Sequence, residues 1–110
     1  MSATDVVFDH HLNACAIGLD EILKDYDEIS VIVTPEKTYR GIAEIRGFYK
    51  AFLDSAQPEF WDAFKVTSKC TEGEIAFLTW EAKPFVTSAT DTLYIKENTI
   101  VIQTFTVLAT

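Results

Sequence analysis

Among the residues able to do chemistry, one carboxylate stands in an unusual setting. In the segment from Thr90 to Ile95, two-residue alternation puts Asp91 on one face with Leu93 and Ile95, and Thr92, Tyr94 and Lys96 on the other. A carboxylate sharing a face with Leu and Ile is costly unless it is paired, protonated or put to use. Two readings stand side by side: an acid/base group in a pocket, or a carboxylate satisfied by a histidine of the first helix or a backbone N–H. His11 is the second candidate. It falls inside the apolar stripe Val7, Phe8, His11, Leu12, Cys15, and an imidazole there can act as acid or base or simply donate a bond to Asp91. Its plainer reading is a satisfied core histidine. His10 is turned by about 100° from its neighbour and is kept as a candidate ligand contact, so which histidine faces a pocket stays open. Adjacent histidines on a helix point apart, whereas metal ligands need i, i+4 spacing or convergence from several elements. No metal site and no cofactor are expected. Cys15 shares the His11 face without a basic neighbour and reads as an inert thiol.

The pocket these groups would serve has candidate walls. Gln103 shares a strand face with Val101, Phe105 and Val107. It offers its amide either to the pocket or across the strands to Thr92 or a neighbouring backbone group. Trp80 shares a face with Ala76 and Leu78, and Tyr26, Phe48, Phe52, Trp61 and Phe105 extend an aromatic lining. Ring-lined cavities favour flat apolar ligands, though the same rings can be plain core packing.

Positioning these side chains is the task of a helical first half and a strand-rich second half, an order that predicts an α+β domain. Residues 4 to 17 read as a helix capped by Thr4 or Asp5 and ended at Gly18. A short helix follows over about residues 19 to 26. Ser30 to Thr34 is a β-branched run stopped by Pro35 and reads as an edge strand. Glu36 to Gly41 reads as a turn into a third helix, about Ile42 to Ser55, with Ile42, Ile45, Phe48, Tyr49 and Phe52 in helical spacing. From Trp61 onward the period becomes two. Strands through Phe64–Thr71 and Ile75–Lys83 meet at Glu72-Gly73-Glu74, and Thr90–Lys96 and Thr99–Leu108 meet at Glu97-Asn98. The expected assembly is a cone: three helices in the concavity of a curved antiparallel sheet. Its outer face, with Lys65, Thr67, Lys69, Phe77, Thr79, Thr92, Tyr94, Thr104 and Thr106, is too apolar to be simply solvated and suits a homodimer.

Bulk properties set the outer limits. The chain has 110 residues, 48% hydrophobic and 24% charged, which is the size and composition of one globular domain spanning 1–110. Nine basic against 17 acidic residues give a net charge of −8, so nucleic acid and anionic membranes are disfavoured partners. The first residues lack the basic start and apolar run of a signal peptide, and Cys15 and Cys70 stand far apart, outside any C-x-x-C pair. Both read as buried thiols, and the expected location is the cytoplasm.

Two stretches carry a family resemblance: Asp20 to Pro35 (DEILKDYDEISVIVTP) and Tyr39 to Tyr49 (YRGIAEIRGFY). With His10-His11-Leu12, TDTLYI from Thr90 and IQTF from Ile102, the chain resembles the nuclear transport factor 2-like superfamily, in particular its small SnoaL-like and ketosteroid-isomerase-like members. The resemblance runs from about residue 5 to 108. It implies the cone fold, a pocket for a small, largely apolar ligand such as a carbonyl compound, and isomerase, cyclase or hydrolase chemistry or none. Ketosteroid isomerases use an Asp base just before the proline after the first strand, a first-helix Tyr, and an Asp on a late strand. Here the base position is Thr34, the strand Asp is matched by Asp91, and the Tyr position falls on His11 or His10. A standard ketosteroid isomerase is therefore not expected. An acid/base Asp91 partnered by His11 is, with a non-catalytic, dimeric ligand-binding or scaffold protein as the alternative.

Overall fold

The first helix, α1 (Ala3–Ala14), begins at a Ser2–Asp5 capping box, in which each side chain bonds the other residue's backbone N–H. The computed structural model describes residues 2–109. Its elements follow in the order α1, α2 (Leu19–Leu23), β1 (Val31–Val33), β2 (Thr38–Arg40), α3 (Gly41–Ser55), α4 (Pro58–Ala63), β3 (Phe64–Glu72), β4 (Ile75–Ala82), β5 (Val86–Lys96) and β6 (Thr99–Ala109).

The strands form one six-stranded sheet in the order β2-β1-β6-β5-β4-β3. Its long hairpins turn where the sequence indicates. Gly73 has φ +59, and Glu97 and Asn98 have φ 53 and 62, the left-handed pair of a tight two-residue hairpin turn. Register shifts interrupt β3, β4, β5 and their partners, between Val66 and Ser68, Trp80 and Ala82, Val86 and Ser88, and Tyr94 and Ile95. Each bulge bends its strand and adds twist, so the sheet curls around the helices rather than lying flat.

The α+β cone is as expected, with differences of detail. The Ser30–Thr34 run is not an edge: β1 lies between β2 and β6, antiparallel to the first and parallel to the second. The supposed turn before α3 contains β2, which takes the edge position. A fourth helix, α4, starts at Pro58, a residue suited to the first helical turn because its missing N–H would be unpaired there anyway. The Val66–Ser68 bulge also moves the alternation of β3 by one residue. Ser68 and Cys70, not Lys69, stand opposite Thr79 and Phe77 on the outer face, and Cys70 is exposed rather than buried.

The core lies between helices and sheet. Val7, Phe8 and Ala14 of α1 pack with Ile22, Tyr26, Ile45 and Tyr49 against Ala76, Leu78, Leu93 and Ile100. Two ties fix α1 on this layer. Thr4 donates to Gly73 O (2.8 Å) and Thr71 donates to Asp5 (2.7 Å), fastening its first turn to the β3–β4 hairpin. Further along, His10 contacts Glu21 and Asp25 at 2.6 and 2.7 Å. No helix among the described residues is long and apolar enough to cross a membrane.

Candidate functional site

Inside the cone lies a cavity of about 50 Å³. Its walls are largely aromatic, with Phe48, Phe52, Trp61, Phe64, Trp80 and Phe105 among them, and its ionisable groups are His11, Cys15, Tyr49 and Asp91.

Asp91 reaches the cavity because β5 alternates, and its neighbours follow from strand register. Asp91 sits opposite Leu78 on β4 and Phe105 on β6. Trp80 and Gln103 are two residues along from positions facing β5, and diagonal neighbours of this kind are within reach of long side chains. Both make contact. Trp80 Nε1–H donates to Asp91 Oδ1 (3.0 Å), and Gln103 Nε2–H donates to Oδ2 (2.9 Å). The Gln103 amide is itself held from behind: Tyr26 Oη–H donates to its Oε1, and the hydroxyls of Tyr26 and Tyr49 are 2.7 Å apart. Since an ionised Asp91 accepts only, the Gln103 nitrogen must face it and the Gln103 oxygen must face Tyr26. The chain of donors has one direction, from Tyr49 through Tyr26 and Gln103 to Asp91.

The electrostatics follow from this seating. Asp91 is 5% exposed, and burial pushes its pKa up to about 6 against the two hydrogen bonds that favour its charge. No lysine or arginine pairs with it among the described residues. His11 goes the other way: burial, then the nearby His10, bring its pKa down to about 4, so it is neutral at ordinary pH. Its Nδ1 is buried without a partner, and its ring stands edge-on to Tyr26 and Tyr49 at 6.2 and 6.4 Å. Burial raises the Cys15 thiol to about 12, and Sγ–H donates to His11 O, so this cysteine stays a thiol.

The expected site residues sort clearly. Asp91, His11, Phe48, Phe52, Trp61, Trp80, Gln103 and Phe105 all line the cavity. His10 does not; its ring is turned onto Glu21 and Asp25, so His11 is the histidine facing inward. Tyr26 stands behind Gln103 and does not reach the lining. No bond joins Asp91 to His11: the carboxylate is held by Trp80 and Gln103, and His11 Nδ1 is without a partner. Gln103 likewise bonds Asp91 rather than Thr92 or backbone. Tyr49 is a lining residue and network member that the sequence pattern did not single out. Its place four residues after Ile45 on the buried stripe of α3 was the available signal.

No family model matches the sequence, and no curated protein is similar to it in sequence. Solved structures are similar in fold. An NTF2-like protein from Mesorhizobium loti superposes with a TM-score of 0.78 at 14% identity, over 97% of this chain and 92% of the other. A protein of Agrobacterium tumefaciens strain C58, provisionally assigned as an isomerase of the SnoaL-like family, gives 0.70 at 13% identity over 99% and 100%. A de novo designed protein with a curved β-sheet gives 0.76 at 15% identity over 98% and 88%. The chain therefore has the NTF2-like fold, the cone that natural isomerase-like proteins and a designed curved sheet share.

Proposed function

We propose that this SnoaL-like chain binds a small, largely apolar molecule bearing a carbonyl group, and that Asp91 exchanges a proton with it. The observation that carries the reading is a buried carboxylate with a pKa of about 6, on an apolar cavity, held by neutral donors and unpaired with any cation among the described residues. A group so placed is ionised enough near neutrality to take a proton and acidic enough to return it. Trp80 and Gln103 orient it. Neutral His11, with an unsatisfied ring nitrogen, supplies a bond to the ligand oxygen, and the aromatic walls exclude water. In one such step the proton of a C–H beside the carbonyl moves to Asp91, the electron pair shifts onto the carbonyl oxygen, and the proton returns at the same or another carbon. Thr34 donates its hydroxyl to Lys37 O and offers no base, which separates this scheme from a standard ketosteroid isomerase.

The alternative is a binding protein without turnover, favoured by the fact that both Asp91 oxygens already accept bonds. We also propose a homodimer through the outer sheet face, and a cytoplasmic setting in keeping with two free cysteines.

Hydrogen–deuterium exchange beside the carbonyl of butanone in heavy water, followed by NMR, tests the reaction without a known substrate. The wild-type chain is expected to accelerate exchange with a rate rising through about pH 6, and Asp91→Asn to abolish it while butanone still shows saturation transfer from the protein. Saturation transfer without catalysed exchange leaves only the binding protein. Absence of both overturns the pocket reading itself.

A further inference from the structure

The cavity beside Asp91 is small, and its aromatic wall has a second side. A groove of about 310 Å³ lies next to it, lined by Ser55 at the end of α3, Ala56 and Gln57 after it, Phe60 of α4, Phe85 in the β4–β5 turn, Val86 at the start of β5 and Val107 of β6. Phe52, Trp80 and Phe105 line both spaces. The groove and the cavity are therefore neighbours that share these three side chains. Two of the three, Phe52 and Phe105, are half-buried, with ring centroids 6.5 Å apart.

The two spaces differ in chemistry. All the ionisable groups are on the cavity side, whereas the groove lining carries no charged residue. Phe85 and Val107 remain 45% and 36% exposed along it, apolar surface left in water on a chain whose net charge is −8. Ligand sites usually need about 300 Å³ or more; the cavity alone is well short of this, and the groove supplies the remainder.

We propose that the groove takes the apolar tail of an elongated, uncharged amphiphile whose carbonyl head lies beside Asp91. This rests on the pocket reading above and extends it: the ligand is a long-tailed ketone or aldehyde rather than a compact one. A carboxylate head is disfavoured by the charge of Asp91 and by the net negative charge of the chain.

The test is a chain-length series of methyl ketones, from butanone through methyl hexyl ketone to methyl nonyl ketone, with affinities measured by competition and by calorimetry. Affinity is expected to rise about fourfold per methylene over the part of the tail that enters the groove, the equivalent of about 0.8 kcal/mol for each buried CH₂. Phe85→Ser, at an exposed position outside the cavity, is expected to flatten that rise and leave butanone binding unchanged. Decanoate, the carboxylate of comparable length, is expected to bind more weakly than the ketone at neutral pH. Butanone binding with no gain from longer tails overturns the groove assignment and leaves the pocket reading in place. Failure of every ketone to bind overturns both. If Phe85→Ser instead shifts the sedimentation of the chain while the chain-length dependence stays intact, the groove belongs to a second copy and the assignment falls.

Discussion

At the scale of single residues, Asp91 and His11 are two buried groups with opposed titrations. The pKa of Asp91 rises from 3.8 to about 6, so between those values the folded chain holds a proton that the unfolded chain has released, and this group lowers stability as pH rises through the window. The pKa of His11 falls from 6.5 to about 4, so the unfolded imidazole takes a proton that the folded one refuses, and this group lowers stability as pH falls. In wild type the two slopes largely offset each other. Removing one exposes the other. Relative to wild type, Asp91→Asn should gain stability as pH rises from about 4 to about 6, and His11→Phe should lose it, each on the order of 2 kcal/mol across the window. Urea unfolding at several pH values measures this, and slopes of the same sign in the two variants would refute the assignment. Asp91→Asn is a fair probe because Gln103 can turn its oxygen toward the new amide while Tyr26 accepts instead of donating. The sequence made Asp91 conspicuous, since a carboxylate sharing a strand face with Leu93 and Ile95 needs an explanation. It did not disclose the partners. Trp80 and Gln103 are diagonal neighbours, and diagonals depend on register, which here includes bulges at Trp80/Ala82 and Tyr94/Ile95 that no local pattern announces.

At the scale of elements, what matters is how α1 keeps His11 turned inward. Its first turn is fastened to the β3–β4 hairpin through Thr4 and Asp5, and its middle to α2 and the following turn through His10. Each ring nitrogen of His10 meets a carboxylate oxygen, an arrangement that suits the imidazolium, which donates from both. The bonds to Glu21 and then Asp25 raise its pKa. Lys24 bonds the other Glu21 oxygen, and Asp25 is buried enough that its own pKa rises despite His10. A raised histidine pKa gives stability that is present below about 6.5 and is lost as pH rises through the folded value. The tie is therefore an acid-side one. The stability that His10 adds over a His10→Ala variant should shrink on going from about pH 5 to about pH 9, by a few tenths to 1 kcal/mol, because the ring is 33% exposed and solvent screens the pair. An NMR titration showing a His10 pKa at or below that of a free imidazole would sink this tie. Helix periodicity identified the stripe that points His11 inward, but it left His10 a candidate ligand contact rather than the tie to Glu21 and Asp25 that it is. The reason is that Glu21 and Asp25 belong to another helix and its trailing turn, and that packing is long-range. Short elements were harder still: β2 is three residues long and α4 six, too few for a period to be distinctive.

At the scale of the whole molecule, the alternation that sends Asp91 inward sends its neighbours to an outer face of mixed threonine and apolar composition. Register places Ile75, Tyr94, Ile102 and Val31 in one row across four strands, and Phe77, Thr92, Thr104 and Val33 in the next. Within these four strands neither row contains a charge, although the first continues into Glu72 on β3 and Arg40 on β2; Ile75, Phe77, Val33 and Ile102 are 41%, 36%, 39% and 44% exposed. The pattern was legible in the sequence except at β3, where the bulge exchanges Lys69 for Ser68 and Cys70 and removes a lysine from the face. A stable dimer needs about 800 Å² from each partner, roughly an eighth of the 6305 Å² surface of this chain. Two copies of net charge −8 repel one another, and salt screens that repulsion. The expected outcome is a dimer in sedimentation velocity that tightens as salt is added. Phe77→Lys, placing a charge in the middle of the face at a half-exposed site, should give monomers. Because Phe77 and Asp91 are on opposite sides of the sheet, that monomer should keep the raised Asp91 pKa near 6, which separates loss of association from loss of fold. A wild-type chain that remains monomeric at every salt concentration would reject the dimer, and the outer rows would then be only the solvent side of the sheet that holds Asp91 in place.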